Sequence, residues 1–184
     1  MAEKTTWQID AAHSGVEFAV KHMMFTTVRG RFKDVNGTIE VDEQNPANSV
    51  VNVEISAASI DTGVADRDAH LRSADFLDVE HHPAITFRSK RFEGSLQDGG
   101  AFQITGDLTI RGKAKEVTLE GTYLGSGKDP WGNIKSGAEA SVKIDRRDWG
   151  LTWNQALETG GILVANDIRI ELQIQAVKAA PVTA

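Results

Sequence analysis

The run "DIRIELQIQAV", residues 167–177, limits the possible folds more than any other stretch of the chain. Ile168, Ile170, Leu172, Ile174 and Ala176 alternate with Arg169, Glu171, Gln173 and Gln175. Successive side chains of an extended backbone point to opposite faces, so this is a strand with one dry and one wet side. The same period recurs in "VEFAV" (16–20), "VNVEI" (51–55), "ITF" (85–87), "FQITGDLTI" (102–110), "VTLEGTYL" (117–124) and "EASVKID" (139–145). Residues 28–41 read as one long strand or two, with breaks expected at Gly30 and Gly37. About eight strands result.

Short polar stretches separate them: "DEQNPANS" (42–49), "QDGG" (97–100), "RGKAK" (111–115) and "GSGKDPWGN" (125–133). Such turns make successive strands antiparallel neighbours. One segment departs from the period. In "DTGVADRDAHLRSADFL" (61–77), Val64, Leu71 and then Phe76 or Leu77 fall at helical spacing, and Asp61 or Thr62 is placed to cap. This predicts one short helix near residues 63–72. The class is therefore all-β, with a sandwich and a closed up-and-down barrel both compatible with the pattern. Strands of about ten residues are roughly 30 Å long. They would draw an eight-stranded barrel into a tube, holding either one ligand or its own side chains.

With 184 residues and no repeat or linker, the chain is one domain, expected over 1–178, with 179–184 as a flexible tail. The net charge of −6 argues against nucleic acid as a partner. The absence of cysteine excludes disulfides, thiol catalysis and thiolate metal sites. No apolar run reaches the length of a membrane span, so no integral membrane insertion is expected. "MAEKTTWQIDAAHSG" has no signal-like apolar region, and a cytoplasmic location is the corresponding expectation.

Few residues suggest chemistry. "GSGKD" (125–129) lacks the upstream glycine of a phosphate loop, and Asp129 stands where a hydroxyl would meet magnesium. His81 and His82 are adjacent in "FLDVEHHPAITF" (76–87). Neighbours on an extended chain point apart, and Pro83 keeps His82 extended, so the pair reads as a lead-in to the next strand. Asp66 and His70, four apart on the expected helix, are the better acid–base candidates. Trp131, Trp149 and Trp153, with Phe25 and the Met23–Met24 pair, read as core or loop anchors, or as the lining of a mouth.

Four blocks carry a resemblance over about residues 6–178: "IDAAHSGVEFAVKHMMFTTVRGRF" (9–32), the segment 61–87, "GDLTIRGKAKEVTL" (106–119) and "DRRDWGLTWN…LETGGILVANDIRIEL" (145–172). Together they resemble the YceI-like family, lipocalin-like proteins associated with polyisoprenoids and other long-chain amphiphiles. The resemblance implies an elongated eight-stranded antiparallel lipocalin-like barrel. It implies an apolar chain inside, a polar head near one mouth, and often a homodimer. It implies no catalytic residue. Many members are exported, whereas no signal is seen here.

The function expected is to bind and carry, or buffer, a lipid or isoprenoid ligand. A polyisoprenoid, a quinone-type chain or a polyprenyl phosphate would qualify, with no other cofactor and no metal. Alternation selects Phe18, Val20, Phe32, Phe87, Phe102, Ile104, Leu108 and Leu163 as liners. Two rivals stand beside it: a lipid-modifying enzyme using Asp66 and His70, and a stress or scaffold protein with a filled interior.

Overall fold

In the computed structural model, which describes residues 4–158 and 163–180, the alternating segments pair into one antiparallel sheet that closes on itself. The strands are β1 (Lys4–Ile9), β2 (Gly15–His22), β3 (Thr26–Phe32), β4 (Val35–Asp42), β5 (Val50–Ser56), β6 (Ile60–Asp61), β7 (Ala84–Gly94), β8 (Ala101–Ile110), β9 (Lys113–Lys128), β10 (Ile134–Asp145) and β11 (Val164–Lys178). The helix α1 (Ala65–Arg72) lies between β6 and β7. Neighbours run in the order β1-β4-β5-β7-β8-β9-β10-β11, and β11 returns to β1, giving a closed eight-stranded barrel. The tail from 181 onward lies outside the described residues, while Ala179 still donates to the Thr6 carbonyl.

The first three staves are each made in two pieces. Strand β11 pairs first with β1, Ile9 opposite Ala176, and then with β2, Gly15 opposite Gln173. Across this line β3 pairs with β2 and β4 with β1, and beyond them β6 pairs with β3 and β5 with β4. The break between β3 and β4 falls at Lys33 and Asp34, not at Gly30 or Gly37, which are strand residues. A Cβ on Gly30 would stand 2.3 Å from Cζ of Phe18, and one on Gly37 would stand 2.2 Å from the Asn52 carbonyl. Those glycines answer a need for space, not for a turn.

Register shifts bend the wall. In β7, opposite β8, the shift between Ser89 and Arg91 changes parity, so Ile85 and Phe87 and then Phe92 are all buried. A second shift, between Gly137 and Ala138, leaves Leu124 unpaired and exposed. A third, between Val164 and Ile168, leaves residues 165–167 of β11 unpaired with β2, while Val164 still pairs with His22.

At the end where α1 lies, the helix begins without the expected cap: Val64 is the capping residue and contributes no side-chain bond. Asp68, buried inside the helix, instead accepts from the amide and hydroxyl of Thr62. Arg72 then ties the last turn to the carbonyls of Ala58 and Ile60, at 2.9 Å each. The helix is thereby fastened, from its middle and its last turn, to the segment 58–62 that precedes it. No helix among the described residues is long and apolar enough to cross a membrane.

Candidate ligand-binding cavity

The inward faces do not fill the barrel. They surround a cavity of about 240 Å³ whose wall is almost wholly Val, Ile, Leu, Phe and Ala. The unbroken alternation of β11 supplies Ile168, Ile170, Leu172 and Ile174, and β10 supplies Ala138, Ala140, Val142 and Ile144. The ladder fixes the radius of the ring, because β1 and β11 pair and close the eight-stranded circuit.

Of the side chains selected from the sequence, Phe18, Val20, Phe32, Phe87, Phe102, Ile104 and Leu108 border this cavity. Leu163 does not: it sits half-buried just before β11, its amide directed to Asn154 and Gln155. It precedes the irregular start of that strand, where inward alternation is not yet established.

Phenylalanine rings and glycines are matched across the wall. Phe18 faces Gly30 on the next strand, and Phe102 faces Gly121. A Cβ at Gly121 would stand 2.5 Å from Cζ of Phe102, and one at Gly106 would stand 2.8 Å from Cζ of Phe87. Each ring occupies room vacated by a glycine, so it lies along the wall instead of projecting into the bore.

The end of the cavity near α1 is built from three segments. Phe76 and Leu77, which follow the helix, are buried there, and Arg111 donates to the Phe76 carbonyl at 3.0 Å. Trp149, 3% exposed, donates from Nε1 to the Leu108 carbonyl at 2.9 Å. Trp153 meets His70 edge-on at 4.6 Å between ring centroids and Phe76 at 5.3 Å.

The expected Asp66–His70 contact is not formed. Asp66 is exposed, and His70 bonds from Nε2 to Asp75, at 2.9 Å, while its ring faces the aromatic pair. The turn after the helix, held by the Ser73 amide on the His70 carbonyl and the Phe76 amide on the Ser73 carbonyl, carries Asp75 back to the imidazole. His81 and His82 lie in the turn leading to β7: His81 bonds to Asp78 at 2.9 Å and is exposed, while the His82 ring lies over Gly112. Hydrogen bonding to Asp78 raises the His81 pKa and lowers that of Asp78. No group of three or more candidate metal ligands occurs among the described residues.

Sequence reasoning missed one residue. Arg146, 2% exposed, also borders the cavity, through its aliphatic stem since the wall presents no polar surface, and among the described residues it is the only buried charged residue that does so. The signal was available, because Ala138, Ala140, Val142 and Ile144 point inward and position 146 continues their parity.

A closed antiparallel barrel around one apolar cavity defines the lipocalin-like class of small-ligand barrels. The profile of the YceI-like domain matches residues 7–176, and the chain belongs to the YceI-like family. It is 44% identical over 142 residues to Protein YceI of Escherichia coli O157:H7, covering 77% of this chain and 73% of that one. Its fold is similar to that of BcnA from Burkholderia cenocepacia, with TM-score 0.77 and 24% identity over 91% of this chain and 98% of that one. It is also similar to a polyisoprenoid-binding domain from Saccharophagus degradans implicated in plant cell wall breakdown. There the TM-score is 0.68 at 12% identity, over 94% of this chain and 98% of that one.

Proposed function

We propose that this protein is a non-enzymatic binder that carries or buffers one long-chain apolar lipid, of the isoprenoid type, inside the barrel. The observation that carries this reading is the cavity itself, about 240 Å³ with an apolar wall. Left empty, a void of this size would forgo on the order of 6 kcal/mol of packing, at about 24 cal/mol per Å³. A protein with a purely structural interior would close it, since its leucines and isoleucines could fill the bore. The glycine–phenylalanine pairs work in the other direction and keep it open. The polyisoprenoid-binding domain with the same fold agrees with this ligand class, although at 12% identity it speaks for the fold alone.

An enzyme would need reacting groups facing the bore. The acid–base pair considered from the sequence is not assembled, and its aspartate is exposed. Affinity in this reading comes from burying hydrocarbon, about 0.8 kcal/mol per methylene, or roughly a fourfold change in Kd. The test has two parts: mass spectrometry of lipids extracted from natively purified protein, then calorimetry over a series of alkyl and prenyl ligands sharing one head. Affinity should climb with chain length until the bore is full. A flat response would remove the proposal.

A further inference from the structure

Strands β2 and β3 are joined through His22, Met23, Met24 and Phe25, with the Phe25 amide on the His22 carbonyl at 3.1 Å. Met24 is 64% exposed and Phe25 81%. Neither is a core residue, and neither borders the cavity. The turn lies at the same barrel end as α1: the Met23 amide donates to the Leu163 carbonyl at 2.8 Å, and His22 pairs with Val164, where β11 begins. Val20 does border the cavity, so along the strand the tip stands roughly 10 Å beyond the wall. Met23 and Met24 have φ of 51° and 62°. Two central residues at positive φ make an I′ hairpin turn, which favours Asn and Gly because other side chains are strained there. Met24 accepts that strain and gains no burial in return.

The hairpin is also the basic part of an acidic chain. Residues 18–33 hold Lys21, Arg29, Arg31 and Lys33 and no carboxylate, whereas the whole chain carries −6. Arg31 and Lys33 lean on Asp61, at 3.9 and 2.9 Å. Lys21 and Arg29 are exposed, lie nearer the tip, and form no ion pair among the described residues. The carboxylates of Asp66 and Asp75 belong to α1 and the turn after it, so the hairpin is the cationic side of this end. Val64, 47% exposed, caps α1 beside the same hairpin, since Asp61 pairs with Arg31 and Thr62 lies over Gly30.

We infer that this hairpin docks the protein on the surface of an anionic lipid bilayer, with Met24 and Phe25 entering the interface and Lys21 and Arg29 meeting the head groups. A bilayer interface offers hydrocarbon beneath a layer of negative charge. Apolar side chains at a tip, with long cationic ones set back from it, match both layers at once. A second copy docking by the same turn would bring its own cations against these and be repelled. Docking here sets the α1 end of the barrel against lipid. It goes beyond the carrier reading and stands apart from it, because it needs no ligand in the bore.

The probes are vesicles of phosphatidylcholine alone and of equal parts phosphatidylcholine and phosphatidylglycerol, at physiological salt. The wild-type protein should sediment with the mixed vesicles and far less with phosphatidylcholine alone. The chain has no cysteine, so T26C accepts a single environment-sensitive dye beside Phe25, and its emission should shift to the blue on mixed vesicles. The double variant M24N/F25S should bind them roughly ten- to a hundredfold more weakly. Its fold should be kept, because asparagine suits the positive φ at position 24. K21Q and R29Q should each weaken binding about fivefold. W131S removes a side chain 84% exposed in the turn between β9 and β10, at the opposite end, and should change nothing. If M24N/F25S does not fold, the wild-type preference and the dye shift still decide. No sedimentation with mixed vesicles, equal binding to both kinds, or a folded tip variant that binds as wild type does would overturn the docking. So would a dye shift that needs no vesicles and grows with protein concentration, which would assign the turn to a second copy. Failure of the carrier reading would show instead as empty protein and unbound chains in solution, with vesicle binding unaffected.

Discussion

Replacing Gly30 by alanine tests whether the bore is held open by the glycine–phenylalanine pairing. The added Cβ would stand 2.3 Å from Cζ and 2.8 Å from Cε1 of Phe18, with Cγ2 of Thr62 at 2.9 Å. All three nearest atoms belong to side chains, so the ladder between β2 and β3 can stay as it is. Carbon atoms settle at about 3.5 Å or more, so the ring tip must withdraw by at least about 1.2 Å. The free space available to it is the cavity that Phe18 already borders. Stability should change little. Alanine restricts the unfolded chain, worth about 0.4–1 kcal/mol, and an off-rotamer ring costs about 0.5–1.5 kcal/mol, so the two nearly cancel. Binding should suffer, because a ring in the bore displaces one or two methylenes. At about 0.8 kcal/mol each, that weakens a bore-filling ligand roughly four- to fifteenfold and a short one hardly at all. Urea denaturation and calorimetry with long and short ligands measure the two sides. Adding F18L should return the long-chain affinity, giving a coupling in the double-mutant cycle. A G30A protein that binds the long chain as wild type does, with no coupling to Phe18, would refute the reasoning.

Other substitutions probe the wall, the helix and the histidine turn. Phe102→Asp places a carboxylate where a buried ring stacks on Phe92 at 5.6 Å, and should cost about 3 kcal/mol or more, whereas Gln103→Asp on the outer face should be near neutral by thermal melting. Asp68→Ala strands the amide and hydroxyl of Thr62 and should cost about 1–3 kcal/mol, with faster amide exchange in α1 than elsewhere. His81 should titrate above 6.5 by NMR, and Asp78→Asn should bring it back. Because its folded pKa is raised, any stabilisation from this pair is complete below about 6.5 and fades as pH rises through the folded pKa. The Asp78 side fades as pH falls through its own lowered value. Replacing both His81 and His82 by Asn should leave folding and ligand retention unchanged, as co-purified lipid and a melting curve would report.

How much could be read in advance varied with how regular each strand is. Strand β11 was legible because no bulge disturbs Ile168 to Ala176. Strand β7 was legible only to Phe87, since the shift at Lys90 changes parity and hides Phe92. Strand β1 was missed: in "KTTWQI" only Trp7 and Ile9 are buried, too few to show a period. The helix was placed within two residues of its start, but its cap was not. Thr62 is bound by a carboxylate six residues later, a contact that depends on how the chain folds back. The cavity wall followed from parity, while the openness of the bore did not. It depends on which glycine lies beneath which ring, a matter of register between strands. Arg146 shared its sequence signal with Arg147, and only the inward parity of β10 separates the buried arginine from the exposed one.

The ring is closed by β11, which is the last of its strands to be synthesised and the partner of the first. A ribosome adding about 5–20 residues per second takes roughly ten to thirty-five seconds to pass from Lys4 to Lys178. For that interval β1 and β2 wait without their partner, and every stave already made presents its apolar face as part of an open, curling sheet. The nascent protein therefore exposes the edges of β1 and β2 that β11 covers in the finished one, and its hazard is concentrated before synthesis is complete. A lipid met at that stage would find a trough and not a tube, so loading during synthesis and loading afterwards are physically different events.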